Sequence, residues 1–181
     1  EKMPGSTSLL AELLGPSLGI QAQLPILLAE YPFRTQQDIA DYLHLLQDLP
    51  RYFSDLIALE QEKSRQGVFQ NDLAVDGIIR QCSAFLADAD TPESHLLHTV
   101  FQNKLQASSL FSEAERNLCL QTHEKLLTSC VFPAYRSLSD ALSSLRGKGT
   151  QNAGGLSRQE GGLSYYAYLL RSRVGVDASP E

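Results

Sequence analysis

One stretch constrains this chain more than any other. Residues 113–146 read as a single helix of 34 residues, roughly 50 Å long at about 1.5 Å per residue. Ser112 and Glu115 form a capping box at its start, each able to satisfy the other's backbone amide. Gly147 supplies the left-handed stop at its end. Leu127, Val131, Tyr135, Leu138, Leu142 and Leu145 recur at steps of three and four, a stripe that suits packing against neighbouring helices in a bundle. Pro133 lies inside the stripe. It removes one backbone hydrogen bond and crowds the carbonyl of Ser129, so a kink is expected there. A stripe that stays in phase across the proline favours one kinked helix over two. A helix this long needs several partners, and the rest of the chain offers them.

The predicted fold is all-α, a bundle of about six to seven helices. Residues 1–34 form an irregular segment with short helices around 8–14 and 25–31. The bundle proper spans 35–147. Thr35 caps the next helix with Asp38 three residues on, and Ile39, Tyr42, Leu43, Leu46 and Leu49 make its stripe. Pro50 suits the first turn of a following helix, so a sharp corner is expected at Leu49–Pro50. That next helix carries Phe53, Leu56, Ile57 and Glu60 on one side and stops at Gly67. Asn71 or Asp72 opens a third, faced by Val75, Ile78, Ile79, Cys82, Phe85 and Leu86. Gly77 inside it, at a cost of about 1 kcal/mol against alanine, marks the close approach of a neighbouring helix. Thr91-Pro92-Glu93 opens a fourth, with Leu97, Val100, Phe101 and Leu105 on its core face.

Residues 148–162 are a glycine-rich loop. Gly154-Gly155 lacks the strand before it and the lysine after it that a phosphate-binding loop needs. A tyrosine-rich helix follows over about 163–173 and ends at Gly175. Ser179-Pro180-Glu181 then has the pattern of another helix start, so the chain reads as a piece of a longer one. Unburied apolar surface is expected near the C-terminal end of the long helix, where missing sequence would pack.

Charge narrows the partners. A net charge of −6 with no basic run argues against nucleic acid and anionic membrane surfaces. No apolar run approaches the roughly 20 residues of a membrane span. Cys82, Cys119 and Cys130 are odd in number; the last two lie about three turns apart on the long helix, too far to bridge. They read as small buried hydrophobes.

No complete catalytic or metal motif is present. His95 and His98 lie three apart on a helix but have no third ligand placed by sequence, and read as solvated surface residues. His123-Glu124 would begin a zinc-peptidase helix, but the second histidine of that motif is replaced by Leu127. His44 reads as an exposed flank residue. Asp72, Asp76, Asp88 and Asp90 read as caps and solvated face, lacking the loop spacing of a calcium site. The best binding candidates are Tyr165, Tyr166 and Tyr168, each joining a large apolar body to a hydrogen-bonding tip, with Arg171 placed to pair with a carboxylate.

Several stretches together carry a resemblance. They are Gln23-Leu24-Pro25-Ile26-Leu27-Leu28-Ala29-Glu30-Tyr31, Phe33-Arg34-Thr35 with Asp38-Ile39, Tyr42-Leu43-His44-Leu45-Leu46 and Pro50-Arg51-Tyr52-Phe53. Glu60-Gln61-Glu62-Lys63-Ser64 with Gly67, Phe69 and Asp72, Phe132-Pro133-Ala134-Tyr135 and Gly161-Gly162 with Tyr165-Tyr166-Ala167-Tyr168-Leu169-Leu170 complete the set. From about residue 20 onward the chain resembles the bacterial family catalogued as domain of unknown function 885. The resemblance implies a long, mostly helical protein of zinc-metallopeptidase type, exported or attached to the cell envelope. Its zinc would be held by a His-Glu-x-x-His helix in a later part of the chain, with the glutamate activating water. None of those residues maps onto a position here. The fragment itself would then hold no cofactor, act as no enzyme alone, and wall or cover the cleft of a peptidase. Its partners would be the remainder of its own chain and a peptide substrate. The alternative is a stand-alone helical module that docks a protein partner without catalysis.

Overall fold

The computed structural model describes residues 9–149 and 155–177, and these form only helices and turns. The α-helices are α1 (Ile20–Glu30), α2 (Gln36–Arg65), α3 (Asp72–Phe85), α4 (Leu96–Ala107), α5 (Glu113–Leu126), α6 (Phe132–Leu145) and α7 (Gly162–Leu169). The expected all-α bundle is therefore what the chain forms. The helix opening expected at Ser179-Pro180-Glu181 lies outside the described residues.

The long helical stretch runs as α5, a π-helical turn over Leu127–Val131, and α6. Its capping box is present in both directions: Ser112 Oγ accepts from Glu115, and Glu115 Oε2 accepts from Ser112 N–H at 2.8 Å. Pro133 sits in the first turn of α6, and the widened turn before it absorbs the hydrogen bond the proline cannot make. Phe132 N–H reaches back five residues to Leu127 O. The hydroxyls of Thr128 and Ser129 donate to the Lys125 carbonyl at 2.9 and 2.7 Å. All six residues of the predicted stripe are buried. Gly147 takes φ +81° at the end. Its N–H donates to Asp72, and Arg146 pairs with Asp76 at 2.9 Å, so two of the acidic residues read as solvated fasten α6 to the start of α3.

The expected corner at Leu49–Pro50 does not form. α2 is one helix of 30 residues with Pro50 inside it. Ile39, Tyr42, Leu46, Leu49, Phe53 and Leu56 are all buried, so a single stripe crosses the proline in phase, and burying it outweighs one lost hydrogen bond. Pro50 itself is on the exposed side. α2 and α6 form the central packed pair; α3 packs on α6, α4 on α5, and α1 on both α3 and α4. The segment expected to be irregular over 1–34 thus contributes a full helix to the bundle. Lys104 of α4 caps the end of that helix, donating to the carbonyls of Ala29 and Tyr31, where a cation meets the negative end of the helix dipole.

Two further expectations shift. Gly77 does mark a close approach, but to the turn before α1: a Cβ there would lie 2.8 Å from Pro16 Cβ. The fourth helix does not start at Thr91. Pro92–Ser94 form a 3-10 turn, and His95 caps α4 instead. The C-terminal half of the long helix leaves no apolar stripe open, since Leu138, Leu142 and Leu145 are buried. The large exposed hydrophobics lie elsewhere, among them Leu163, Tyr166, Val174 and Val176 beyond it and Ile26, Leu27, Leu45 and Tyr52 on α1 and α2.

Candidate functional site

The tyrosine helix is set up by glycines. Gly161 adopts φ +72°, and a Cβ on Gly162 would overlap the Leu156 carbonyl of the 3-10 turn at Gly155–Arg158. Only glycine permits that approach. α7 then continues as a π turn over Leu170–Val174 and stops at Gly175, φ +74°. Its main neighbours are the two short turns that flank it. The four predicted residues divide. Tyr165 is buried and its ring stacks on Tyr168 with centroids 6.2 Å apart. Tyr166 is exposed. Arg171 pairs with Asp177 at 3.6 Å. Burial pushes the Tyr165 hydroxyl above its ordinary range, with the Glu12 carboxylate adding to the effect.

That carboxylate belongs to a cluster the sequence reading passed over. Lys63 is fully buried. Its Nζ donates to Ala11 O at 3.1 Å, Glu12 Oε2 at 3.0 Å and Glu60 Oε1 at 3.4 Å. Glu60 is fully buried as well, and its second oxygen has no hydrogen-bond partner. Burial raises the Glu60 carboxyl above the usual range, Lys63 opposes the rise, and Glu12 adds to it. The signal was present in sequence. Phe53, Leu56, Glu60 and Lys63 continue one helical stripe, so a charged pair at its end had to face the core. Lys63 thereby pins residues 11–12 to the end of α2.

The histidines form a second cluster, and here the reading is corrected. His95 and His98 are buried, as is His123. His95 Nδ1 accepts the Leu97 N–H at 3.3 Å, so Nε2 carries the proton and donates to Phe85 O at 3.0 Å. Both nitrogens are thereby committed to closing α4 onto the end of α3. His123 stacks on Phe101, centroids 4.2 Å apart and planes at 5°, and shares a 3.2 Å hydrogen bond with Tyr42 Oη. Its ring is 5.7 Å from that of His98. Burial, with the two other histidines, depresses the His123 imidazole to about 3. The phase count failed for His95 because α4 begins at Leu96 and His95 is its N-cap, outside the helical phase that the count assumed.

A family described as "Bacterial protein of unknown function (DUF885)" matches residues 8–181. The chain belongs to this family. No curated protein matches it. A solved structure described as "the putative lipoprotein from Colwellia psychrerythraea" has the same fold, with a TM-score of 0.81 at 18% identity. The match covers 93% of this chain and 28% of that one. The member of the family described here thus spans well under a third of that neighbour's length.

Among the described residues no group of three or more His, Cys, Asp or Glu side chains is placed to hold a metal ion. His95 has both nitrogens engaged, and His123 spends one on Tyr42. Cys82 is buried, and burial pushes its thiol up to about 12, which makes it inert. No helix among the described residues is long and apolar enough to cross a membrane.

Proposed function

We propose that this chain is the non-catalytic helical part of a longer zinc-dependent metallopeptidase, with α7 contributing to a wall of the substrate cleft. The observation that supports a longer parent is the coverage: the chain matches a solved chain of the same fold over 93% of its own residues and only 28% of the other's; the zinc-peptidase part of the reading follows the family resemblance. Tyr166 and Tyr168 on α7 would meet a peptide through aromatic faces, and Arg171, which pairs with Asp177, would exchange that partner for a peptide carboxylate. Zinc would be held by later residues of the parent chain. The lipoprotein description of the structural neighbour supports a cell-envelope location.

The test is the full-length parent. Its reading frame is expected to encode His-Glu-x-x-His on a helix beyond these residues, and the purified protein to cleave peptides in a chelator-sensitive way. Tyr166→Ala with Arg171→Ala should raise KM about tenfold with kcat unchanged, the mark of lost ground-state binding. A frame without that motif, or a KM indifferent to both substitutions, sinks the reading and leaves the docking-module alternative.

A further inference from the structure

Exposed apolar side chains face one another across α1 and α2. Leu27 is 61% exposed and Leu45 45%. Between the two helices runs a groove of about 390 Å³. Leu24, Leu27, Leu45 and Tyr52 form its sides, and Leu28 and Leu49, each 5% exposed, form its floor. A monomer gains nothing by leaving such a groove in water, and apolar patches of this kind mark docking sites.

The rim says what would sit there. Leu45 and Tyr52 are seven residues apart on α2, so they share one face, about 10 Å along the axis. Asp41, Asp48 and Asp55 have the same spacing of seven, all exposed. They form an acidic row beside the apolar one, and Asp48 itself lines the groove. None of the three is in an ion pair among the described residues. An apolar seam flanked by charges at heptad spacing is how one helix presents itself to another. The chain covers 28% of its structural neighbour, so in a parent of that length further polypeptide would be available to fill it.

We infer that the α1–α2 groove seats an amphipathic helix from the remainder of the parent chain. That helix carries two or three apolar anchors at i, i+3 or i+4, and i+7, and a Lys/Arg flank over the Asp41–Asp48–Asp55 row. The inference rests on the proposed membership of a longer polypeptide and not on any peptidase chemistry.

Cysteine labelling tests it. L45C is placed in a C119S/C130S background, in the 181-residue chain and in the full-length parent, with L118C on α5 as an exposed reference, Leu118 being 64% exposed. Leu45 is itself exposed, so L45C should leave the fold intact, checked by circular dichroism. In the 181-residue chain, L45C and L118C should react with a maleimide at similar rates. In the parent, L45C should slow at least about 100-fold, and adding D41K/D48K/D55K should restore its labelling. Equal labelling of L45C in both chains overturns the proposal. So does a reading frame with no further residues, or protection of L45C in the 181-residue chain that grows with concentration, which would make the occupant a second copy. Protection that survives the charge reversal overturns the basic flank. Protection in a parent that cleaves no peptide keeps the groove and sinks the peptidase reading; cleavage without protection does the reverse.

Discussion

At the scale of single residues, the bundle's interior is less apolar than its composition suggests. Three histidines, a lysine and a glutamate are buried, and each acts through geometry. His123 is the clearest case, because it is a base held neutral. Its folded-state value lies at about 3, against about 6.5 for a free histidine. The unfolded chain therefore binds the extra proton between those values. The stabilising contribution is whole above about pH 6.5 and is lost as pH falls toward 3, at up to about 1.4 kcal/mol per pH unit. His123→Phe would keep the stack on Phe101 but orphan the Tyr42 hydroxyl, at a cost of about 1–3 kcal/mol. The expected result is lower stability than wild type at pH 7 but a shallower decline between pH 6.5 and 4.5, read by urea denaturation at each pH. A parallel decline in both proteins would show that His123 is not the group titrating.

Elements were the most legible scale, and the failures there share a cause. The capping boxes at Thr35 and Ser112, the Asn71 cap and the stops at Gly147 and Gly175 are all local patterns, and all of them form. Prolines were misread because their effect depends on what the helix buries. Pro50 looked like a corner, yet α2 runs through it on an unbroken stripe. Pro92 looked like a helix start and begins only a 3-10 turn. At Pro133 the expected single helix holds, with a π turn as the accommodation. Gly77 was legible as a close approach though not for its partner, since no sequence pattern reports that Pro16 folds back onto α3. The position makes a sharp prediction. Helix propensity alone would make Gly77→Ala stabilising by about 1 kcal/mol. A Cβ 2.8 Å from Pro16 Cβ makes it overpacked, and overpacking costs about 1–3 kcal/mol. The substitution should lower the midpoint of thermal unfolding, and a rise would mean that the turn at Pro16 yields freely.

For the whole molecule, the sequence tells the core from the rest but not the order of helices in space, which is set by tertiary contacts with no local signature. The aromatic crowding of α7 was legible because it is a local feature of one short helix. The division into a buried Tyr165, an exposed Tyr166 and an Arg171–Asp177 pair was not, because burial depends on how α7 folds against its flanking turns. The bundle from α1 to α6 shares one continuous buried cluster running from Leu14 to Leu145, whereas Tyr165 lies outside it. Removal of everything after Gly149 should therefore leave the bundle's cooperative unfolding in place. The loss is the burial of one tyrosine against residues near Glu12, about 1.5–3 kcal/mol by side-chain transfer, with a denaturant slope little changed because the slope follows the surface exposed on unfolding. Collapse of the cooperative transition in the truncated chain would show instead that α7 and the turns flanking it complete the core rather than ride on it.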